Sequence, residues 1–337
     1  MTKIKTLIIA EAGVNHNGDI KTAKKLIDAA VYSGANIIKF QTFSSVSLTT
    51  SSAIKSNYQI ENTHKPFETQ QEMLSNLELS KDNHFELIEY SQKNNIEFLS
   101  SAFDPKSVKF LDALNLKRWK IPSGEITNYP FLKFIGSKNK PVILSTGMSN
   151  MDEIEQALNI LLESGCERKK ITLLQCNSEY PTPLADVNLR VIQTMKKKFN
   201  IATGLSDHTI GIEIPIAAVA LGATIIEKHL TLNRKMEGPD HKASIEPNEF
   251  KNLVNAIRNI EIALGDGYKK VTQSELKNKI LVRKSIYAKK SITKGERFTK
   301  DNICLKRPGS GISPSFWEEI LEQKAKQNFN EDEQIII

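Results

Sequence analysis

Two histidines each close a short apolar run: His208 in Gly204-Leu205-Ser206-Asp207-His208-Thr209, and His229 in Glu227-Lys228-His229-Leu230-Thr231. On neighbouring strand ends of a parallel barrel, two such imidazoles can share one divalent cation, with carboxylate, water or substrate oxygen completing its shell. Without a barrel the pair is weak evidence, because a lone histidine is more often a hydrogen-bonded core or surface residue. Lys39, in Ile38-Lys39-Phe40-Gln41-Thr42, and Lys120, in Trp119-Lys120-Ile121-Pro122-Ser123-Gly124-Glu125, also end apolar runs. A lysine placed there must snorkel to solvent or meet an anion, since burying its charge unpaired is costly. Ser101, Ser123, Ser145 and Ser206 stand at comparable points, and lysines with several hydroxyl donors make a phosphate cradle. The plainer alternative is a set of ordinary polar groups at strand ends. A rival chemistry is Schiff-base catalysis on one desolvated lysine, as in a keto-acid aldolase, which borohydride trapping would reveal. Glu11 and Glu125 can act as general base and general acid, and Asp240 and His241 follow Gly238-Pro239 in a turn just beyond His229.

The elements that must position these groups recur along the chain. Short β-rich runs begin at Leu7, Asn36, Glu97, Arg118, Val142, Ile171, Ile201 and Thr224. Most are separated by stretches of helical periodicity such as Ile20 to Ser33, Asp82 to Lys93, Met151 to Glu163 and Asn248 to Leu264, several opened by a capping Asp, Ser or Asn. Strand-then-helix units spread over about 270 residues suit a closed TIM (β/α)8 barrel. A doubly wound sheet would gather polar groups mainly near one switch point, whereas here every strand end carries one. Residues 1–268 are therefore expected to form the barrel. Ser44 to Ser80 is far longer than a usual connection and is expected to be a lid, or else an ornamental loop. Residues 269–281 read as a linker, and 282–337 as a small β-rich domain with a turn at Lys294-Gly295-Glu296.

Composition narrows the class. At 337 residues, 39% hydrophobic and 25% charged, with 16 Gly and 12 Pro, the chain reads as a soluble globular protein. The net charge of +7 is spread over the chain without an aromatic-interleaved basic stripe, which argues against nucleic acid and for small anionic substrates. Cys166, Cys176 and Cys304 are too few and scattered for a disulfide framework or a cysteine zinc site, and are expected to be packing residues in a reducing compartment. The apolar run within Met1 to Ala10 is too short for a signal peptide. The stretch Ile214 to Ile226 contains Pro215 and Gly222 and is too short for a bilayer, so no membrane association and a cytoplasmic location are expected.

Eight blocks, in order, carry a resemblance: Glu11-Ala12-Gly13-Val14-Asn15-His16-Asn17-Gly18, Ile38-Lys39-Phe40-Gln41-Thr42, Lys120-Ile121-Pro122-Ser123-Gly124-Glu125, Ser145-Thr146-Gly147-Met148, Tyr180-Pro181-Thr182-Pro183, Ser206-Asp207-His208-Thr209, Glu227-Lys228-His229 and Gly238-Pro239-Asp240-His241. Together they resemble the sialic acid synthase family, phosphoenolpyruvate-dependent synthases of nine-carbon keto sugars. Lys306-Arg307-Pro308-Gly309-Ser310-Gly311 is similar to the antifreeze-like, SAF-type domain that ends those enzymes. The resemblance implies manganese or magnesium on His208 and His229. It implies phosphoenolpyruvate contacts at Lys39, Ser101, Lys120, Ser123, Ser145, Ser178 and Ser206, and a water-handling carboxylate at Glu11. It places the amino sugar against Gln41, Glu125, Tyr180, Asp240 and the Arg307 of a partner subunit, hence a domain-swapped homodimer. The implied acceptor is N-acetylmannosamine, giving N-acetylneuraminate, with 2,4-diacetamido-2,4,6-trideoxymannose, giving N,N'-diacetyllegionaminate, as the alternative. Ile126-Thr127-Asn128-Tyr129-Pro130 is as similar to the second group as to the first. Two departures stand out: Gln175 where a histidine usually precedes the Cys-Asn pair, and Ser101-Ala102-Phe103 in place of Thr-Pro-Phe, which keeps the hydroxyl.

Overall fold

A computed structural model describes residues 5–337; Met1 to Ile4, part of the amino-terminal stretch considered above, lie outside the described residues. Eight strands, β1 (Leu7–Gly13), β2 (Ile37–Thr42), β3 (Glu97–Ala102), β4 (Trp119–Ile121), β5 (Val142–Ser145), β6 (Ile171–Cys176), β7 (Ala202–Asp207) and β8 (Ile225–His229), form a closed barrel in sequence order. Each pairs in parallel with its neighbours, and β8 closes on β1 with Glu11 opposite His229. The expected TIM barrel is the fold.

The strands form where β-branched and aliphatic residues run together, and they stay parallel because a helix-containing crossover returns the chain to the same end. Asp19 caps the helix Ile20–Ser33 by accepting from the backbone of Lys21 and Thr22, and Asn150 forms a capping box with Glu153 ahead of Met151–Glu163. Alternation along the strands then sorts the side chains. Ile9, Ile37, Leu99, Ile143, Leu174 and Ile225 pack together as one cluster that plugs the barrel, while Ile8, Ala10, Ile38 and Phe40 face the helices. Two residues further along β1 and β2, the inward positions become Glu11 and Lys39, paired in register. The plug is apolar and the rim above it is charged.

Ser44 to Ser80 is more ordered than a plain loop. It holds short helices at Ser45–Leu48, Asn57–Thr63 and Gln70–Ser75, and Met73 and Leu77 pack with Val14 and Phe43 in a core of their own. Such short helices have too few turns to show in sequence periodicity and depend on tertiary contacts. One of these is Lys55, fully buried, whose ammonium sits 2.8 Å from Glu68 and donates to Thr63 Oγ1 and the Lys65 carbonyl. Asn62 donates to the Pro239 carbonyl at 2.6 Å, fastening the segment to the chain beyond β8.

The chain divides into two compact units, Met1–Gly265 and Asp266–Ile337. The second contains a short helix, Leu276–Val282, which occupies the end of the stretch 269–281 read as a linker and runs one residue past it. Its β9 (Ser285–Ala288) and β10 (Ile303–Lys306) pair antiparallel, and Ile286, Phe298, Ile303 and Phe329 form its core. Among the described residues no helix is long and apolar enough to cross a membrane.

Candidate active site

The inward residues at the carboxyl ends of the strands line a cavity of about 450 Å³ in the first unit. Its floor is a buried net of two lysines and two glutamates. Lys39 Nζ lies 2.5 Å from Glu11 Oε2 and 3.6 Å from Glu227 Oε2, and donates to Ser101 Oγ at 3.3 Å. Lys120 Nζ donates to Ser145 Oγ at 2.8 Å and lies 3.3 Å from Glu227 Oε1, which also accepts from Ser206 Oγ at 2.8 Å. The second oxygen of Glu227 has no hydrogen-bond partner although it is buried. The lysines are thus not free cations awaiting an anion; each already has a carboxylate beside it, and Glu227 is shared.

Burial would raise the Glu11 carboxyl, but Lys39, with His229 and Lys120, outweighs it and holds the group at about 2. Burial also opposes the charge on Lys39, and Glu11 and Glu227 reverse the effect, raising its pKa. For Lys120 burial prevails, helped by the neighbouring Lys39 charge, and its pKa is lowered despite Glu227. Two lysines side by side therefore differ in their readiness to hold a proton.

A second polar nest lies beside the floor. Gly147 N donates to Ser123 Oγ at 2.9 Å, and a Cβ at Gly147 would fall 2.5 Å from Ser178 Oγ and 2.8 Å from Ser123 Oγ. Only glycine leaves that space open. The cavity therefore offers hydroxyl donors at this nest beside the ammonium donors of the floor, each of which is shared with a carboxylate.

His208 and His229 meet on the far side, ring centroids 5.4 Å apart. His208 Nδ1 donates to the Asn177 carbonyl at 2.6 Å, and the Cys176 thiol lies beside the same imidazole. His229 Nδ1 is buried without a partner, and burial, offset in part by Glu11, lowers its pKa to about 3. Gly13, at φ 51°, makes room for this ring, since its Cβ would stand 3.2 Å from His229 Cε1. Among the described residues no three His, Cys, Asp or Glu side chains gather as a complete metal cluster. Two imidazoles facing a cavity fit a divalent cation whose other ligands come from water or substrate. Tyr180 stacks on His208 at 4.0 Å, and Tyr58, from the segment after β2, stacks on Tyr180 at 5.2 Å. Asp240 closes this side; burial, with the charge of Glu11, raises its carboxyl to about 7.

Glu11, Lys39, Gln41, Ser101, Lys120, Ser123, Ser145, Ser178, Tyr180, Ser206, His208, His229 and Asp240 all line the cavity. Glu125 does not. It sits in the 3-10 turn Ser123–Glu125 and accepts from Asn128 Nδ2 at 2.5 Å, and burial raises its pKa. Arg307 is exposed at the end of β10 in the second unit. His241 turns from the site, bonding Thr231 Oγ1 and Asn17 Oδ1. Gln175, the departure noted above, donates to the Val187 carbonyl. Cys176 is more than a packing residue. Its thiol lines the cavity, and although burial would raise its pKa, His208 draws it down. Glu227 and Tyr58 escaped the sequence reading, although Glu227 stands two residues before His229 and so faces the same way. Lys228, between them, points outward and is buried against Asp207 and the Thr209 carbonyl, tying β8 to β7 behind the histidines.

A profile of the NeuB family matches residues 26–269, and one of the SAF domain matches residues 283–335. The chain is 54% identical to the N,N'-diacetyllegionaminic acid synthase of Campylobacter jejuni over 98% of this chain and 99% of that protein. It is 45% identical to the N,N'-diacetyllegionaminic acid synthase of Legionella pneumophila over 96% of this chain and 91% of that one. Among solved structures, the N-acetylneuraminic acid (sialic acid) synthetase of Leptospira borgpetersenii, in complex with citrate, superposes with a TM-score of 0.71 at 36% identity, covering 82% of this chain and 90% of that one. With two whole-length relatives named as synthases and a barrel whose rim carries the expected groups, the chain is an enzyme that belongs to the NeuB family and ends in a SAF domain.

Proposed function

We propose that this enzyme condenses phosphoenolpyruvate with the open-chain form of 2,4-diacetamido-2,4,6-trideoxymannose, giving N,N'-diacetyllegionaminate and phosphate. The observation that carries the acceptor is the 54% identity to a synthase of that name across essentially both whole chains, with a second at 45%. The reading with N-acetylmannosamine, giving N-acetylneuraminate, stands second on the 36% identity to the sialic acid synthetase structure.

The geometry supports the class of reaction. Phosphoenolpyruvate has two anionic ends, a carboxylate and a phosphate, and the cavity has ammonium donors at the Lys39–Lys120 floor and hydroxyl donors at the Ser123–Ser178 nest. A divalent cation on His208 and His229, manganese or magnesium, would supply Lewis-acid polarisation of the aldehyde. The lysines and serines fix phosphoenolpyruvate so that its methylene carbon faces the aldehyde carbon, and a carbon–carbon bond forms between them. As positive charge develops at the carbon bearing phosphate, Glu11, kept ionised at the floor, accepts a hydrogen bond from the water that adds there. The tetrahedral adduct then collapses to the ketone, its carbon–oxygen bond to phosphate breaks, and inorganic phosphate leaves. Orientation of two small reactants is most of the task, and effective molarities of about 10⁵ M or more are available to it. Tyr180 and Asp240 are suited to hold the sugar, and Arg307 from a partner subunit's tail would add a planar donor fork.

Phosphate release from phosphoenolpyruvate with manganese present, offering the two sugars in parallel and with a chelated control, tests this directly. Faster release with the trideoxy sugar, lost on chelation, is expected. Preference for N-acetylmannosamine would transfer the assignment to the second reading, and full activity under chelation would remove the cation from it.

A further inference from the structure

The cavity has an apolar side that the reacting groups do not use. Above the charged floor, the helix Gln70–Ser75 and the turn after it present Gln70, Met73, Leu74 and Leu77, one stripe at helical spacing, to the cavity. Phe103, two residues past Ser101, and Val14, three past Glu11, join them. Met73, Leu77 and Val14 are buried behind, whereas Leu74 and Phe103 are only half-buried and form the apolar surface left open. None of these five side chains offers a hydrogen-bond donor or an oxygen acceptor, and Gln70, one turn before Leu74, is the polar edge of the stripe.

A wall of this kind is unsuited to a fully hydroxylated sugar. The aldehyde carbon must meet phosphoenolpyruvate at the floor, which leaves the far end of a six-carbon acceptor to the rest of the lining, where Leu74 and Phe103 are the open apolar part. A hydroxyl held there loses water without gaining a partner, while a methyl gains contact. The two candidate acceptors differ at that end: one has hydroxyls at C4 and C6, the other an acetamido group at C4 and a methyl at C6. We infer that Leu74, flanked by Phe103 and backed by Met73, Leu77 and Val14, is a specificity-determining residue that selects acceptors deoxygenated at C6. This rests on the condensation proposed above and assigns the discrimination within it to one wall.

An apolar pocket distinguishes substrates differing by a methyl-sized group by about 10–200-fold. The test compares wild type, Leu74→Gln, Leu74→Ala and Phe103→Leu, measuring kcat/KM for both sugars at saturating phosphoenolpyruvate, with thermal melting of each variant. Both positions are half-buried, and Phe103→Leu keeps the question open if one Leu74 variant fails to fold. In wild type the trideoxy sugar is preferred; in Leu74→Gln the ratio of the two kcat/KM values falls at least tenfold toward N-acetylmannosamine, with a smaller fall in Leu74→Ala and Phe103→Leu. Equal losses for both sugars in every folded variant, with wild-type preference intact, overturn the wall and leave the proposed function standing. A wild type that prefers N-acetylmannosamine, or turns over neither sugar, overturns both.

Discussion

Lys39 Nζ rests 2.5 Å from Glu11 Oε2, a fully buried ion pair joining the ends of β2 and β1. The pair, with His229 and Lys120, overcomes burial and holds the Glu11 carboxyl at about 2, which keeps it ionised at neutral pH and places a carboxylate where the proposed water must be steered. Glu11→Gln retains the shape and removes that charge. We expect kcat to fall by at least about 100-fold, the usual lower bound for a positioned acid–base group, while phosphoenolpyruvate still binds. Steady-state rates equal to wild type would refute the assigned role.

Glu227 is shared by the two lysines of the floor, at 3.3 Å from Lys120 and 3.6 Å from Lys39. Replacing it by Gln leaves excess buried positive charge, which destabilises by about 3 kcal/mol. Phosphoenolpyruvate then supplies the missing counter-charge, so it should raise the melting temperature of Glu227→Gln more than that of wild type. Equal shifts in the two proteins would contradict the shared-counterion account.

Acid should unfold this protein through its buried histidines, two of them away from the cavity. Burial, with the neighbouring His84, lowers His16 to about 4, and burial lowers His241 to about 4, against an unfolded value near 6.5. Between pH 6.5 and 4 the unfolded chain binds more protons, so their contribution is whole above 6.5 and is lost as pH falls through that window. For His16 the loss approaches about 3 kcal/mol at pH 4. Asp240, held at about 7, acts oppositely, since its folded state takes the extra proton first, whereas His229, lowered to about 3 chiefly by burial, adds to the loss. Melting temperature followed from pH 7.5 to 5 should fall in wild type and less in His16→Gln; parallel curves would show that His16 is not the group responsible.

Removal of residues after Leu281 probes the tail. The first unit's clusters contain no residue beyond Ile260, and the tail has its own core of Ile286, Phe298, Ile303 and Phe329. The truncated protein should keep the barrel's circular dichroism and melting transition yet lose turnover, and Arg307→Ala in the full chain should raise the KM for the sugar at least tenfold, the cost of one charge-assisted hydrogen-bonded group, about 1.5–3 kcal/mol. A fully active truncation would show that Arg307 takes no part.

The sequence by itself determined the barrel and most of its rim. Strand runs, caps and the positions of Lys39, Lys120, His208 and His229 are local signals, because alternation and helical periodicity act over a few residues. Family resemblance then supplied roles for residues such as Ser178 and Tyr180. Closure of the barrel decided the rest. It brought the lysines onto Glu11 and Glu227, since a residue's inward direction and its neighbour across the ring depend on register between distant strands. Tertiary structure also turned Glu125 aside onto Asn128, drew Cys176 into the cavity and laid Tyr58 on Tyr180. The segment from 44 to 80 owes its form to Lys55, Asn62 and the packing of Met73 and Leu77, contacts that short helices need and that no periodicity in their own sequence announces.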